Sequence, residues 1–224
     1  DEFIKHYSYN KDIMMTRNRY TTQIDHYENY SQLFDIVKRI NTILIDLCVD
    51  MWMYISMDYF KMRIVKGEVG SSAMPHKVNP IMFENAEGNL HLANTLLNFL
   101  SMRLPVSRLQ RDLTGSTLLR NMGTAFSHTI ISYKNILTGL DRVSLNEVVV
   151  LQDLRKNPVV LAEAIQSILR SKGYENSYEI VKSFVRSEKH IDEKNLHKFI
   201  NGLEIDDRIK KRLLCLSVIK YIGI

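Results

Sequence analysis

Glycine and proline are scarce, nine and four in 224 residues. A fold of many short strands needs far more turn residues, so an all-β sandwich is excluded and long helices are expected. Cysteine is scarcer still. Cys48 and Cys215 lie far apart with no CxxC spacing. That leaves no zinc framework and no disulfide scaffold, and it fits a reducing, cytoplasmic setting. No uncharged apolar run reaches membrane-spanning length, because the most apolar stretch, Ile43 to Met57, is cut by Asp46 and Asp50. No secretory signal opens the chain, which starts on Asp1 rather than Met and reads as part of a longer protein. Charge of one sign is not gathered either. Lys and Arg number 30 and Asp and Glu 25, a net +5 spread along the sequence. A nucleic-acid binder collects such charge into a patch, so nucleic acid is set aside as a partner, while small anionic ligands stay open.

What is present is helical periodicity. Residues 1–19 are polar and irregular and read as a helix end and a surface loop. From about Ser31, apolar residues recur at three- and four-residue steps through Leu33, Ile36, Val37, Ile40, Leu44, Leu47, Met51 and Ile55. Carried on to Val65, that helix would be about 50 Å long. Residues 66–80 interrupt it with two glycines and two prolines. A second helix follows, with Asn79 placed as N-cap and Pro80 at the first helical position, and stops near Leu104-Pro105. A third long helix is expected from Thr114, Ser116 or Thr117 to Leu140. Long, nearly antiparallel helices of this kind form an incomplete bundle with too much apolar surface for a monomer. After Arg142 to Ser144 the helices shorten and are separated by Asn157-Pro158, Lys172-Gly173 and Asn201-Gly202. The expected organisation is a poorly patterned start (1–19), a long-helix domain (20–143) and a smaller all-α domain (144–224).

Three segments carry groups capable of chemistry. Loop 70–80 presents Ser71, Ser72, His76 and Lys77 among small residues and leads Asn79 to a helix N-terminus. It reads either as a connector or as a lid over a carboxylate substrate, since helix starts favour anions. In Arg111-Asp-Leu-Thr-Gly-Ser-Thr-Leu-Leu-Arg120, Ser116 and Arg120 stand four residues apart on one helix face, with Arg111 just before it. This is either an ordinary capped helix with surface arginines or a phosphate site. The turn around Gln23 offers an amide to a substrate. The histidines outside loop 70–80 are scattered without ligand spacing, so no metal site and no cofactor are expected.

Gly70-Ser-Ser-Ala-Met-Pro-His-Lys-Val-Asn-Pro80 resembles the signature loop of the fumarase/aspartase superfamily. Tyr20-Thr-Thr-Gln-Ile24, Phe83-Glu-Asn85, Glu87-Gly-Asn-Leu90, Leu104-Pro-Val-Ser-Arg108 and Gln110-Arg-Asp-Leu-Thr114 with Ser116-Thr117 and Leu119-Arg-Asn121 narrow the match to the adenylosuccinate lyase family. The likeness runs from about Tyr20 to Gly223. It departs at Ala73, Met82, His91, Leu109 and Gly115, where the family pattern has Thr, Asp, Gly, Trp and Asp. The resemblance implies the later part of a central long-helix domain, a C-terminal helical domain, and a homotetramer whose active sites are shared between chains. It implies elimination of fumarate from adenylosuccinate and from the succinyl-carboxamide intermediate of purine biosynthesis, without a cofactor. It also implies roles: Ser71 as the base that takes the Cβ proton, with Lys77 and Asn79 meeting the negative charge that develops. Ser72 would bind a substrate carboxylate, Gln23 and Asn85 other polar groups, and Arg111, Ser116 and Arg120 the nucleotide phosphate. The family's general-acid histidine belongs to a motif that this chain lacks, so the chain alone is expected to be inactive. Lyases of argininosuccinate, fumarate or aspartate are the rival reading, and the three phosphate-binding residues discriminate against them.

Overall fold

The computed structural model describes residues 18–63, 79–188 and 191–223. It divides into two compact units, Asp1–Ser144 and Leu145–Ile224. In the first, helix α1 (Glu28–Ser56) is followed by a short strand β1 (Phe60–Met62), then α2 (Ile81–Arg103), a 3-10 turn (Arg108–Gln110), α3 (Thr114–Leu119) and α4 (Met122–Asp141), and strand β2 (Val143–Leu145) ends it and runs one residue past the boundary. Among the described residues no helix is long and apolar enough to cross a membrane.

Helix α1 stops well before Val65, where the periodicity had carried it. Asp58 takes a left-handed conformation, φ 60°. The Tyr59 N–H donates to the Tyr54 carbonyl at 2.9 Å and the Asp58 N–H to Ile55 at 3.1 Å, the paired bonds that close a helix C-terminus. Asp tolerates this backbone better than β-branched residues do. The chain then turns into β1, which pairs with β2, and the Arg63 N–H reaches the Arg142 carbonyl at 2.7 Å. The second helix also starts slightly later than expected. Pro80 is itself the N-cap, and its carbonyl accepts from Phe83 and Glu84. The expected third long helix is two helices. At Arg120-Asn121 the bonds shorten to three-residue steps, Asn121 to Leu118 and Thr124 to Asn121. The Asn121 side chain meanwhile donates to the Thr117 carbonyl at 3.2 Å, a local bond that competes with the helix ladder.

Contacts along the helices give their directions. Ser31 donates to the Ser101 carbonyl, Lys38 to Asn98 and Trp52 to Glu84, so α1 and α2 are antiparallel. Ser132 donates to the Ala86 carbonyl, and Gly139 lies against Phe83, so α4 is antiparallel to α2 as well. Two apolar clusters fill the unit. One holds Cys48, Met51, Phe83, Ala86, Leu90 and Ile136, the other Phe34, Leu97, Leu100, Leu104 and Ala125. Burial pushes the Cys48 thiol up to about 11, and the negative charge of Glu87 adds to it. Between the clusters sits the fully buried Asn41. Its Nδ2 donates to Asn94 Oδ1 (3.0 Å) and Thr129 Oγ1 (3.3 Å), and its Oδ1 accepts from Tyr133 OH (2.8 Å).

The second unit is built from α5 (Glu147–Lys156), a 3-10 turn (Pro158–Val160), α6 (Leu161–Ser171), α7 (Ser177–Ser187), α8 (Glu193–Gly202) and α9 (Asp207–Leu214). Its core is Leu161, Ile165, Leu169, Val181, Leu196, Ile200 and Leu213. Phe184 and Phe199 stack beside it with ring centroids 4.2 Å apart. Asp192 and Asp206 cap their helices through the Asn195 and Arg208 N–H groups, each at 2.7 Å. Gly173, at φ 79°, ends α6 with the same paired closure as α1: Tyr174 N–H to Leu169 and Gly173 N–H to Arg170.

Gly139 is where the packing is tightest. A Cβ there would lie 2.8 Å from Cζ of the fully buried Phe83 ring. Alanine normally favours a helix over glycine by about 1 kcal/mol, but overpacking costs about 1–3 kcal/mol. Gly139→Ala is therefore expected to lower stability by about 1 kcal/mol in denaturant unfolding, and an unchanged or raised midpoint would contradict this packing.

Candidate functional site

Those of the residues singled out from the sequence that the structure describes separate into two groups at opposite ends of α2. Ser71, Ser72 and Lys77 lie outside the described residues. Asn79 sits just ahead of α2, and Asn85 is exposed in its second turn. Strand β1, whose pairing with β2 is absent from the sequence-based expectation, lies before loop 66–80 in the chain, and α2 begins directly after that loop.

At the other end, the turn containing Gln23 lies against the Arg111–Ser116 segment. A small cleft there is lined by Thr22, Ile24, His26, Tyr27, Asp112 and Gly115, among others. Gln23 is exposed at the bend, and the Thr22 hydroxyl donates to the Ile24 carbonyl at 2.5 Å. Asn85 and the C-cap Leu104 are 19 positions apart along one unbroken helix, which is about 28 Å at about 1.5 Å per residue. Within a single chain, then, Asn79 and Asn85 do not meet Gln23, Arg111, Ser116 and Arg120.

The Arg108–Thr114 turn is strained and well tied. Leu109 and Gln110 both have left-handed backbones, φ 49° and 64°, and the Leu109 side chain is 98% exposed. Each such residue costs about 1–2 kcal/mol, so the turn persists only if its neighbours over-determine it. Asp112 does so. Its carboxylate accepts from Arg108 N–H (3.3 Å), Arg108 Nε (3.2 Å) and Thr114 N–H (3.0 Å), while its own N–H donates to Ser107 Oγ (3.0 Å). Desolvation pushes this carboxyl up, but the hydrogen bonds from Arg108 and Thr114 outweigh it and hold it at about 2.

Three arginines thus differ in state. Arg108 is bound to Asp112. Arg111 and Arg120 are exposed, and among the described residues neither forms an ion pair. They are the charges left to attract an anion. Ser116 is less ready than its spacing suggested, because its hydroxyl donates to the Leu113 carbonyl at 2.8 Å. It presents lone pairs outward, and donating to a phosphate requires the O–H to rotate. Arg120 is the C-cap of α3 rather than part of a long helix, though it still follows Ser116 by four helical positions.

The sequence reading passed over a chain of polar contacts around Asn85. Asn135 and Asn89 both bond to it, and His128 bonds to Asn89. Only a partner from α4 makes these residues notable, and no local pattern marks them. A separate cavity of about 300 Å³ in the second unit, lined by Arg155, His197, Leu213 and Val218 among others, includes none of the residues singled out from the sequence. No group of three or more His, Cys, Asp or Glu among the described residues is arranged to hold a metal ion.

The Asp112 carboxyl gives this turn a defined acid limit. A lowered pKa in the folded state means that the carboxylate's stabilisation is present above its ordinary value of 3.8 and is lost as pH falls toward 2. A carboxyl NMR titration is expected to place Asp112 near 2, with the turn's N–H protection intact at pH 4. A midpoint at or above 3.8 would contradict the arrangement.

Comparison with known proteins completes the picture. The family profile described as adenylosuccinate lyase C-terminal matches residues 107–222, and one described as lyase matches 8–93. The adenylosuccinate lyase of Dictyostelium discoideum is 55% identical over 212 residues, which is 94% of this chain and 46% of that protein. That of Escherichia coli strain K12 is 47% identical over 206 residues, 92% of this chain and 45% of that protein. The chain thus spans about half the length of these relatives. Among solved structures, a fumarate lyase:delta crystallin from Brucella melitensis in native form matches with TM-score 0.59 at 17% identity, covering 94% of this chain and 47% of that one. Recombinant class II fumarase from Schistosoma mansoni matches with TM-score 0.60 at 20% identity, covering 83% and 39%. These two support the fold, and the sequence matches give the branch: the chain belongs to the adenylosuccinate lyase family.

Proposed function

We propose that the protein to which this chain belongs eliminates fumarate from adenylosuccinate to give AMP, and from the succinyl-carboxamide intermediate of purine biosynthesis, in the cytoplasm. The observation that carries this reading is the identity of 55% to a named adenylosuccinate lyase across 94% of the chain, with loop 70–80 and the Gln110–Thr114 block inside the matched region.

The chemistry assigns work to both groups of residues. Ser71 removes a Cβ proton beside a carboxylate, which concentrates negative charge on a group already anionic. Lys77, Asn79 and the opening N–H groups of α2 stabilise that charge, and Ser72 holds the carboxylate. A free serine is a weak base, so the loop activates it when closed over substrate with water excluded. Gln23 and Asn85 bind polar groups of the substrate. Arg111 and Arg120 hold its phosphate, with Ser116 once its hydroxyl turns.

Assembly follows from the same geometry. One substrate cannot bridge groups held about 28 Å apart by a helix, so the site is formed by different copies of the chain. The apolar residues left outside the core support this. Leu33, Ile36, Ile40 and Ile43 follow one face of α1, with Ile43 70% exposed, and Leu92, Phe99 and Met102 follow one face of α2. Burying these stripes against other copies drives association, and the assembly is a tetramer.

Two measurements test the proposal. The full-length protein is expected to release fumarate from adenylosuccinate and not from argininosuccinate, and Ser71→Ala is expected to abolish release. The chain 1–224 alone is expected to release none. Release from argininosuccinate instead would remove Arg111, Ser116 and Arg120 from a phosphate role. Shared sites are tested by mixing. Full-length Asn85→Ala and Arg111→Ala proteins, each impaired, are expected to regain part of the activity when unfolded and refolded together, because some hybrid sites hold neither change. Activity that stays at the average of the two would place both residues in one chain's site.

A further inference from the structure

We propose that Asn135 and Asn89 are positioning residues that hold the Asn85 amide with its NH2 group outward, so that it donates to an anionic oxygen of the substrate. This rests on the function proposed above.

The logic begins at a group that can only accept, the backbone carbonyl of Asn85. Asn89 Nδ2 lies 2.8 Å from that oxygen, so this end of the Asn89 amide is its donor. The same Nδ2 lies 3.0 Å from the end of the Asn85 side chain, which must therefore turn its oxygen there. Asn135 Nδ2 reaches the same Oδ1 from α4 at 2.5 Å. Both lone pairs of the Asn85 Oδ1 are now used. The other end of Asn89, its Oδ1, meets His128 Nδ1 at 2.7 Å, so that nitrogen carries the proton. His128 and Asn135 lie about two turns apart on α4 and Asn85 and Asn89 one turn apart on α2, so the helix pair itself sets the direction of the whole series.

What remains of Asn85 is its NH2. Among the described residues it donates to none, and the residue is exposed. An exposed amide with no such ties turns over freely and offers oxygen or nitrogen at will. This one offers only donors, in the second turn of a helix whose N-terminal dipole also favours an anion. The adjacent Glu84 carboxylate accepts from Trp52 Nε1 on α1 at 3.0 Å, on a different face of α2. The arrangement selects a carboxylate or phosphate oxygen and rejects a donor at that point.

The test uses Asn135→Asp in the full-length protein, a change that keeps the shape but removes the donor. The introduced carboxylate draws the Asn85 NH2 inward and turns its oxygen toward substrate. The expected result is a KM for adenylosuccinate raised on the order of tenfold, the effect of about 1.4 kcal/mol, with kcat within about twofold and the melting temperature nearly unchanged. The double change with Asn85→Ala is expected to be no worse than Asn85→Ala alone, because Asn135 acts through Asn85. Product inhibition names the oxygen: weakened inhibition by AMP places it on the phosphate, and weakened inhibition by fumarate places it on a carboxylate. Inhibition unchanged for both, an unaltered KM, or a loss that adds in full to Asn85→Ala would overturn the inference while leaving the function standing. A wild-type protein that releases no fumarate from adenylosuccinate would overturn both.

Discussion

The fully buried amide of Asn41 holds three helices in one register, and the positions of the candidate residues in the long-helix unit follow from that register. Aliphatic faces alone let helices slide by a turn at modest cost. An amide in the core does not, because each of its hydrogen bonds lost in a dry interior costs about 1–3 kcal/mol. Asn41 is satisfied only when Asn94 of α2 and both Thr129 and Tyr133 of α4 stand opposite it. That setting places Ser31 against Ser101 at one end and Asn85 against Asn135 at the other. Fold and candidate function are thus coupled through a fully buried polar group that adds little apolar surface to the core.

Helix α2 acts as a spacer as well as a packing element. Its two ends carry different chemistry: a helix start with Asn79 just ahead of it and the tied amide of Asn85 in its second turn, and a strained turn with Arg111 outside any ion pair among the described residues beyond Leu104. In the proposed function each end is half of what elimination from a substrate bearing two carboxylates and a phosphate requires. The strain at Leu109 and Gln110 belongs to the second half. Asp112 stores its hydrogen bonds in that turn, ties up Arg108, and leaves Arg111 projecting. The depressed pKa of Asp112 reflects the same bonds, so the turn stays set wherever the carboxylate remains ionised.

Much of this was legible beforehand, and the failures have physical causes. The all-α class, the long helices and the short C-terminal ones follow from apolar spacing and from scarce Gly and Pro, and they are what the structure contains. The overlong first helix was misread because Asp58 gives no strong stop signal. Its left-handed closure depends on a backbone angle that glycine usually marks and that aspartate takes here. The third helix was misread because Asn121 breaks the ladder through its side chain while the apolar spacing runs on. Pro80 was placed one position too far into its helix. The Asn85, Asn89, His128 and Asn135 series had no local signature, because residues from two helices become partners only after packing.

The sequence by itself determined the helical class, the family and the residue types available for chemistry, since these depend on local spacing and on motifs a few residues long. Only the tertiary structure decided which of those residues share a place. It brought Asn135 of α4 to Asn85 of α2, aiming that amide outward, and laid the Gln23 turn beside the Arg111–Ser116 segment. The reason is that helix register and hydrogen-bond direction are settled between elements, through Asn41 and through Asn135, and no single segment carries that information.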